Sequence, residues 1–394
     1  MTNDFTFQNT TKIHFGRGAL DHLAPEVKAA SHKALLVYGG NAPKATGLLD
    51  RVVGLLEDAG IAVFHLDGVE PNPSHLTVNK GAAICRENGI GAVVAIGGGS
   101  AIDTAKGVAV CAGTEGVDDV WELCDRSHPI TGALKIFPIV TLAATGSEMD
   151  SSAVISNYEL NVKGGVNGPF CRPTCSFLNP ELTFTVPRYQ TACGSYDIMI
   201  HTLDTKYLSR DDKMDMLWRM MDEHIRTVYK WAPVALEEPD NYEARENLMW
   251  AATWGLNSFM TCGVHQGASA HPMEHEISAY YPKVTHGHGL AILVPRWLEY
   301  ILTPETAPQI ARLATCAFGL PDAGSDMANA QAAIDELKRF AFETLGLAPS
   351  LSDLGVTDEH FAEMAVHACG EGGVINGFVP LTPADVEKIY RMCL

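Results

Sequence analysis

The segment Ala92–Ala105, AVVAIGGGSAIDTA, sets the tightest limit on what this chain can fold into. A short apolar run reads as a buried strand, three glycines and a serine break it, and a helical pattern follows. Glycines let backbone approach a ligand closely, and the exposed N–H groups of a helix start favour an anion such as a pyrophosphate. A tight turn could use the same residues, and the run is not G-x-G-x-x-G. Gly97, Gly98, Gly99 and Ser100 are therefore candidate phosphate contacts.

The flanks repeat the alternation. Lys33–Tyr38 is a strand-like run closed by Gly39-Gly40. Thr46–Ala59 carries Leu48, Leu49, Val52, Val53, Leu55 and Leu56 at helical spacing, and Gly60 stops it. Ile61–Leu66 is a further strand candidate, and Pro71-Asn72-Pro73-Ser74 opens a helix running to about Asn88. Ile136–Val140 reads as a strand followed by Thr141 and Thr145-Gly146-Ser147-Glu148. Strands alternating with helices imply a parallel sheet covered on both faces, with ligands at the carboxyl ends of the strands. Thr141, Thr145 and Ser147 would emerge at that same edge. Gly16-Arg17-Gly18 has no suitable strand before it and reads as a turn.

The texture changes near Pro187. Beyond it, helical patterns dominate: Arg188–Leu208, Lys213–Trp231, Tyr242–Phe259 and several more after Pro304. The predicted architecture is an α/β Rossmann-like nucleotide-binding domain over 1–187 and an all-α domain over 188–394. A ligand cleft is expected between them.

The net charge of −19 and the lack of clustered Lys and Arg argue against nucleic acid and against docking on anionic membranes. No apolar run is long enough to span a bilayer, and the N-terminus lacks signal-peptide features, so a cytoplasmic location is expected. Ten scattered cysteines without a C-x-x-C pair fit a reducing compartment. Cys171 and Cys175 are the closest pair and read as ordinary thiols.

Seven of the fifteen histidines, at 201, 224, 265, 271, 275, 286 and 288, fall in the first half of the helical region. Asp197 and His201 are four apart in a predicted helix, as are His271 and His275, so each pair shares a face. A carboxylate with several imidazoles suits Zn²⁺ or Fe²⁺. An Asp–His pair at this spacing is also a common structural hydrogen bond, and the HEISA segment is not H-E-x-x-H. Spacing does not say which of the later histidines would bind an ion.

The chain resembles the iron-containing (group III) alcohol dehydrogenase family, and within it the NADPH-linked butanol dehydrogenase and aldehyde reductase branch. The resemblance runs over nearly the whole length. It is carried by Phe15-Gly16-Arg17-Gly18, Glu70-Pro71-Asn72-Pro73, GGGSAIDTAK (Gly97–Lys106) and TLAATGSE (Thr141–Glu148). It continues through Asp197-x-x-x-His201, MWAAT (Met249–Thr253), HPMEHEISAYY (His271–Tyr281) and THGHGLAILVPRW (Thr285–Trp297). The resemblance implies one divalent metal, Fe²⁺ or Zn²⁺, held by Asp197, His201, His271 and His286, with His275 as a proton relay. The stretch between His275 and His286 is one residue longer than in typical members, which leaves His288 as an alternative to His286. Cys193, four residues before Asp197, reads as a packing residue or an oxidation target near the site.

The resemblance also implies cofactor contacts from the glycine loop with Asp103, and from Thr141, Thr145, Ser147 and Lys163. Relatives that prefer NAD carry an Asp after the first strand where this chain has Gly39, so NADP(H) is expected over NAD(H), with Asn41 and Lys44 as phosphate partners. The implied reaction interconverts a small primary alcohol and its aldehyde by hydride transfer. A homodimer is expected by analogy. The rival readings are a dehydroquinate-synthase-like metal-dependent cyclase, which would need a basic cluster for a substrate phosphate, and a non-catalytic metal- or nucleotide-binding subunit.

Overall fold

Six strands form one parallel sheet in the computed structural model of the chain, which describes residues 3–208, 214–264 and 267–394. They are β1 (Lys12–Phe15), β2 (Lys33–Tyr38), β3 (Ala62–Leu66), β4 (Ala92–Gly97), β5 (Lys135–Val140) and β8 (Cys175–Leu178). Their order is β1-β8-β5-β4-β2-β3, and every pairing is parallel. Between β5 and β8 the chain makes an antiparallel hairpin of β6 (Ser152–Asn157) and β7 (Val162–Asn167).

The central strands are buried because both faces are covered. Helices α1 (Leu23–Ala30), α2 (Ala42–Ala45), α3 (Leu48–Asp58), α4 (His75–Asn88), α5 (Gly99–Gly113) and α6 (Trp121–Cys124) alternate with them. On one face Leu23, Val27, Leu49, Val52 and Leu56 join Leu36, Val94, Ile96, Phe137 and Phe177 in a single apolar cluster. Removing that area from water, at roughly 25 cal/mol per Å², is the main force holding helices on the sheet. Ser74 caps α4, its Oγ accepting from the Leu76 N–H at 3.2 Å.

From β2 the chain steps outward to β3 and then returns across β2 to β4. The topological switch therefore lies between β2 and β4, with Gly39-Gly40 and Gly97–Gly99 at the two carboxyl ends. The edge strand β1 does precede Gly16-Arg17-Gly18, so that turn follows a strand after all. Gly16 has a φ of 104°, which only glycine adopts readily.

The chain divides into two compact units. One holds Gln8–Val186 and Ala252–Asn257; the other holds Met1–Phe7, Pro187–Ala251 and Ser258–Leu394. A single cut at 187 misses these two exchanged segments. The mainly helical unit contains α7 (Arg188–Thr202), α8 (Asp215–Glu237), most of α9 (Tyr242–Gly255), α10 (Ala270–Tyr280), α11 (His286–Ile301), α12 (Ala307–Arg312), α13 (Asp326–Arg339), α14 (Phe361–Cys369) and α15 (Pro383–Met392). Among the described residues no sheet strand follows β8; only an isolated bridge pairs Ile375 with Leu381. No helix is long and apolar enough to cross a membrane among them.

Three predicted helices differ in detail. The first ends at Thr202 and passes into a π turn, Leu203–Tyr207, instead of running regularly to Leu208. The second begins at Asp215 and extends to Glu237, and Lys213 lies outside the described residues. The third stops at Gly255, four residues before Phe259.

Candidate metal centre

Helix α7 presents Asp197 and His201 one turn apart, both buried. His271 enters from the first turn of α10, and His286 is the first residue of α11. These elements bring three imidazoles around a single carboxylate oxygen. Asp197 Oδ1 lies 3.4 Å from His201 Nε2, 3.9 Å from His271 Nε2 and 3.6 Å from His286 Nε2.

Those spacings carry chemical information. Donors held about 2.1 Å from a common ion at tetrahedral angles stand about 3.4 Å apart. Most of the observed contacts are too long for hydrogen bonds. Asp197 Oδ1 and His271 Nε2, both within this cluster, are buried without any hydrogen-bond partner. Buried polar atoms without partners cost about 1–3 kcal/mol each, so an arrangement that collects them calls for a cation. Burial raises the Asp197 pKa and, with His271 and Lys206 adding to it, drives that of His201 well below its usual value. Burial thus disfavours both charged forms, and a divalent ion would restore the ionised carboxylate beside neutral imidazoles.

Two buried carboxylates absent from the sequence reading stand behind the histidines. Asp204 Oδ2 accepts from His271 Nδ1 at 2.8 Å, and the Asp204 carboxylate also accepts from the backbone N–H groups of Ser269, Ala270 and His271. It thereby caps α10 while orienting the ring. Pro272 has no N–H to leave orphaned in that first turn. Burial pushes the Asp204 pKa up, but the His271 ring and these N–H groups outweigh it, and the net shift is downward. Glu274, also buried, accepts from His286 Nδ1. Each contact leaves Nε2 of its imidazole facing Asp197, the usual support of a histidine that ligates a metal.

His288 is engaged elsewhere. Its Nδ1 accepts from the Tyr189 hydroxyl at 3.0 Å, and its Nε2 donates to the Ala348 carbonyl at 3.0 Å. The loop between α10 and α11 is closed by Val284 N–H bonded to Tyr281 O at 2.9 Å. Gly287 makes the close approach possible, since a Cβ there would lie 2.1 Å from the Cys193 carbonyl oxygen. Cys193 is buried and its thiol is pushed up to about 12, so it packs α7 against α11 and is not a reactive thiolate. The Cys171 and Cys175 thiols are likewise buried and raised to about 12.

His275 is half-buried one turn beyond His271, its ring centroid 5.3 Å from that of His286. Glu274, His275 and His286 form a second group whose donor atoms lie within 4.8 Å of one another. His265 lies outside the described residues.

In the sheet unit, the turn after β4 enters α5 at Gly99, and no side chain caps the first turn of that helix. Gly99 sits tightly against Thr145, whose Oγ1 would be 2.9 Å from an added Cβ, so Thr145 borders the loop. Thr141 donates its backbone N–H to Gly97 O at 3.0 Å. Asp103 has both oxygens in use, accepting from Ser147 Oγ at 2.6 Å and from Val154 N–H at 3.0 Å. It and Ser147 therefore fix the 145–148 turn to α5. Lys163 lies on β7 and donates to Asn72 Oδ1 at 2.9 Å. Asn41 opens α2, and Lys44 pairs with Asp67.

Comparison with known proteins gives the same direction throughout. Residues 10–180 match the family described as iron-containing alcohol dehydrogenase, and residues 191–394 match the C-terminal family of Fe-containing alcohol dehydrogenases. The chain is 41% identical over 388 residues to NADH-dependent butanol dehydrogenase A of Clostridium acetobutylicum, covering 98% of each chain. It is 33% identical over 356 residues to the NADPH-dependent aldehyde reductase YqhD of Escherichia coli, covering 90% of each. The crystal structure of NADH-dependent butanol dehydrogenase A from Thermotoga maritima superposes with a TM-score of 0.92 at 33% identity, over 100% of this chain and 99% of that one. Nothing found favours the cyclase reading. The chain belongs to the iron-containing alcohol dehydrogenase family.

Proposed function

We propose that the chain interconverts a small primary alcohol and its aldehyde, with one divalent ion held by Asp197, His201, His271 and His286 and with a nicotinamide dinucleotide as hydride carrier. The observation that carries this reading is the convergence of three imidazole Nε2 atoms on the partnerless Asp197 Oδ1. One carboxylate and three imidazoles suit Fe²⁺ or Zn²⁺. Such an ion supplies Lewis acidity toward a substrate oxygen, and the nicotinamide supplies or accepts the hydride.

The chain's own residues do the rest. Asp204 and Glu274 hold His271 and His286 in the tautomer that frees Nε2. The turn at Gly97–Gly99 and the uncapped start of α5 offer backbone N–H groups to a pyrophosphate. His275, beside the ligand set, moves the proton that balances hydride transfer, a task for which an imidazole is suited near neutral pH. The test is NADH or NADPH absorbance with butyraldehyde, before and after removal of metal with a chelator and after return of Fe²⁺ or Zn²⁺. Oxidation that needs the ion supports the reading; none across a panel of aldehydes with the ion bound contradicts it.

A further inference from the structure

The expectation of NADP(H) rests on Gly39, taken as the absence of a carboxylate that would repel a 2′-phosphate. Packing explains that glycine instead. A Cβ at position 39 would lie 2.0 Å from the Val69 carbonyl oxygen, and Val69 N–H bonds to Tyr38 O at 3.2 Å. No side chain of any charge fits there while the ends of β2 and β3 stay this close, so Gly39 says nothing about the cofactor.

The carboxylate at this edge comes from the next strand. Asp67 immediately follows β3, and its Oδ1 accepts from the Gly68 N–H at 2.7 Å. Its other oxygen pairs with Lys44 Nζ, which stands 5.6 Å from the centroid of the Tyr38 ring. The side chains of Lys44 and Asp67 are 47% and 45% exposed, so a ligand can reach both, and an exposed pair opens at little cost. The position matters. A pyrophosphate at the start of α5 sits over β4, and β3 lies two strands away across β2, about 10 Å at the usual strand spacing. A dinucleotide running from β4 over the switch point brings its adenosine ribose to the ends of β2 and β3.

We infer that Asp67, steadied by Lys44, is the residue that selects between the two nicotinamide cofactors, and that it selects NADH. Its carboxylate accepts hydrogen bonds from ribose hydroxyls and repels a 2′-phosphate. Lys44, already neutralised by Asp67, offers that phosphate no net attraction. With Asp67 uncharged, the same ammonium becomes a phosphate site. The inference rests on the dehydrogenase reading only in taking a nicotinamide dinucleotide as the ligand.

Direct titration of NADH and NADPH fluorescence on the metal-loaded protein separates the two, because it does not depend on turnover. The wild type is expected to bind NADH at least ten times more tightly than NADPH. Asp67→Asn should tighten NADPH at least tenfold and leave NADH within about threefold, and Lys44→Ala added to it should erase the gain. Tighter NADPH binding by the wild type overturns the inference, as does an Asp67→Asn protein whose preference moves less than twofold; with both cofactors still binding, the dehydrogenase reading stands. Binding of neither cofactor overturns the nicotinamide reading and the inference with it.

Discussion

Asp204 ties His271 to the start of its own helix: one carboxylate accepts from the imidazole Nδ1 at 2.8 Å and from three successive backbone N–H groups, Ser269 to His271. The π turn that follows α7 carries Asp204, so the helix bearing Asp197 and His201 also delivers the group that aims His271. π turns cluster at functional sites because the extra residue re-aims the side chains beyond it.

Asp204→Asn keeps the size of the side chain but turns an amide NH₂ toward donors. It should weaken metal binding by about 10–100-fold, the usual effect of losing a carboxylate behind a ligating histidine. Metal affinity measured against a competing chelator checks this. The metal-free protein should also lose about 1–3 kcal/mol of stability, because buried N–H groups lose their acceptor. Asp204→Glu should recover part of the affinity if orientation of His271 is the cause.

Glu274→Ala should weaken metal binding by a similar factor of about 10–100 through His286. Gly289→Ala offers an independent route to the same group, since its Cβ would lie 2.7 Å from Glu274 Oε1. Displacing Glu274 in this way should lower metal affinity with His286 itself unchanged. Titration of both variants with Zn²⁺ is the check.

His286→Ala and His288→Gln should part company. The first removes an imidazole facing Asp197 and should leave the purified protein with little metal. The second breaks bonds to Tyr189 and Ala348, neither of them in the ligand set, and should keep full metal content while losing about 1–2 kcal/mol of stability. Metal analysis and thermal unfolding distinguish the two.

His271→Ala should abolish metal retention, whereas His275→Ala should retain metal and bind cofactor yet lose turnover. Metal content and initial rates on the same preparations read both halves. Equal metal loss in the two variants would contradict the division between ligand and proton relay.

The sequence is most legible where one residue type repeats under one physical constraint. β2, β4 and β5 stand out because strands covered on both faces must be continuously apolar. β1 and β8 are only four residues long, and the hairpin strand VKGGVN carries two glycines, so neither period nor propensity marks them. At the site, helical spacing puts Asp197 and His201 on one face, and the family resemblance singles them out as ligands. Asp204 and Glu274 do not stand out in this way, because Asp204 reaches His271 from a π turn 67 residues earlier and Glu274 reaches His286 only where α10 and α11 pack together. Gly39 cannot be interpreted without the fold: a Cβ there would meet the Val69 carbonyl oxygen, and the carboxylate paired with Lys44 is Asp67, after the next strand.

Anomalous diffraction at the iron and zinc edges, on crystals of the metal-loaded, active protein, tests the central claim most directly. The four-ligand site requires one peak about 2.0–2.2 Å from Asp197 Oδ1 and from Nε2 of His201, His271 and His286. A peak held instead among Glu274, His275 and His286, the neighbouring group with donors within 4.8 Å of one another, would contradict it, as would an active crystal with no peak at Asp197.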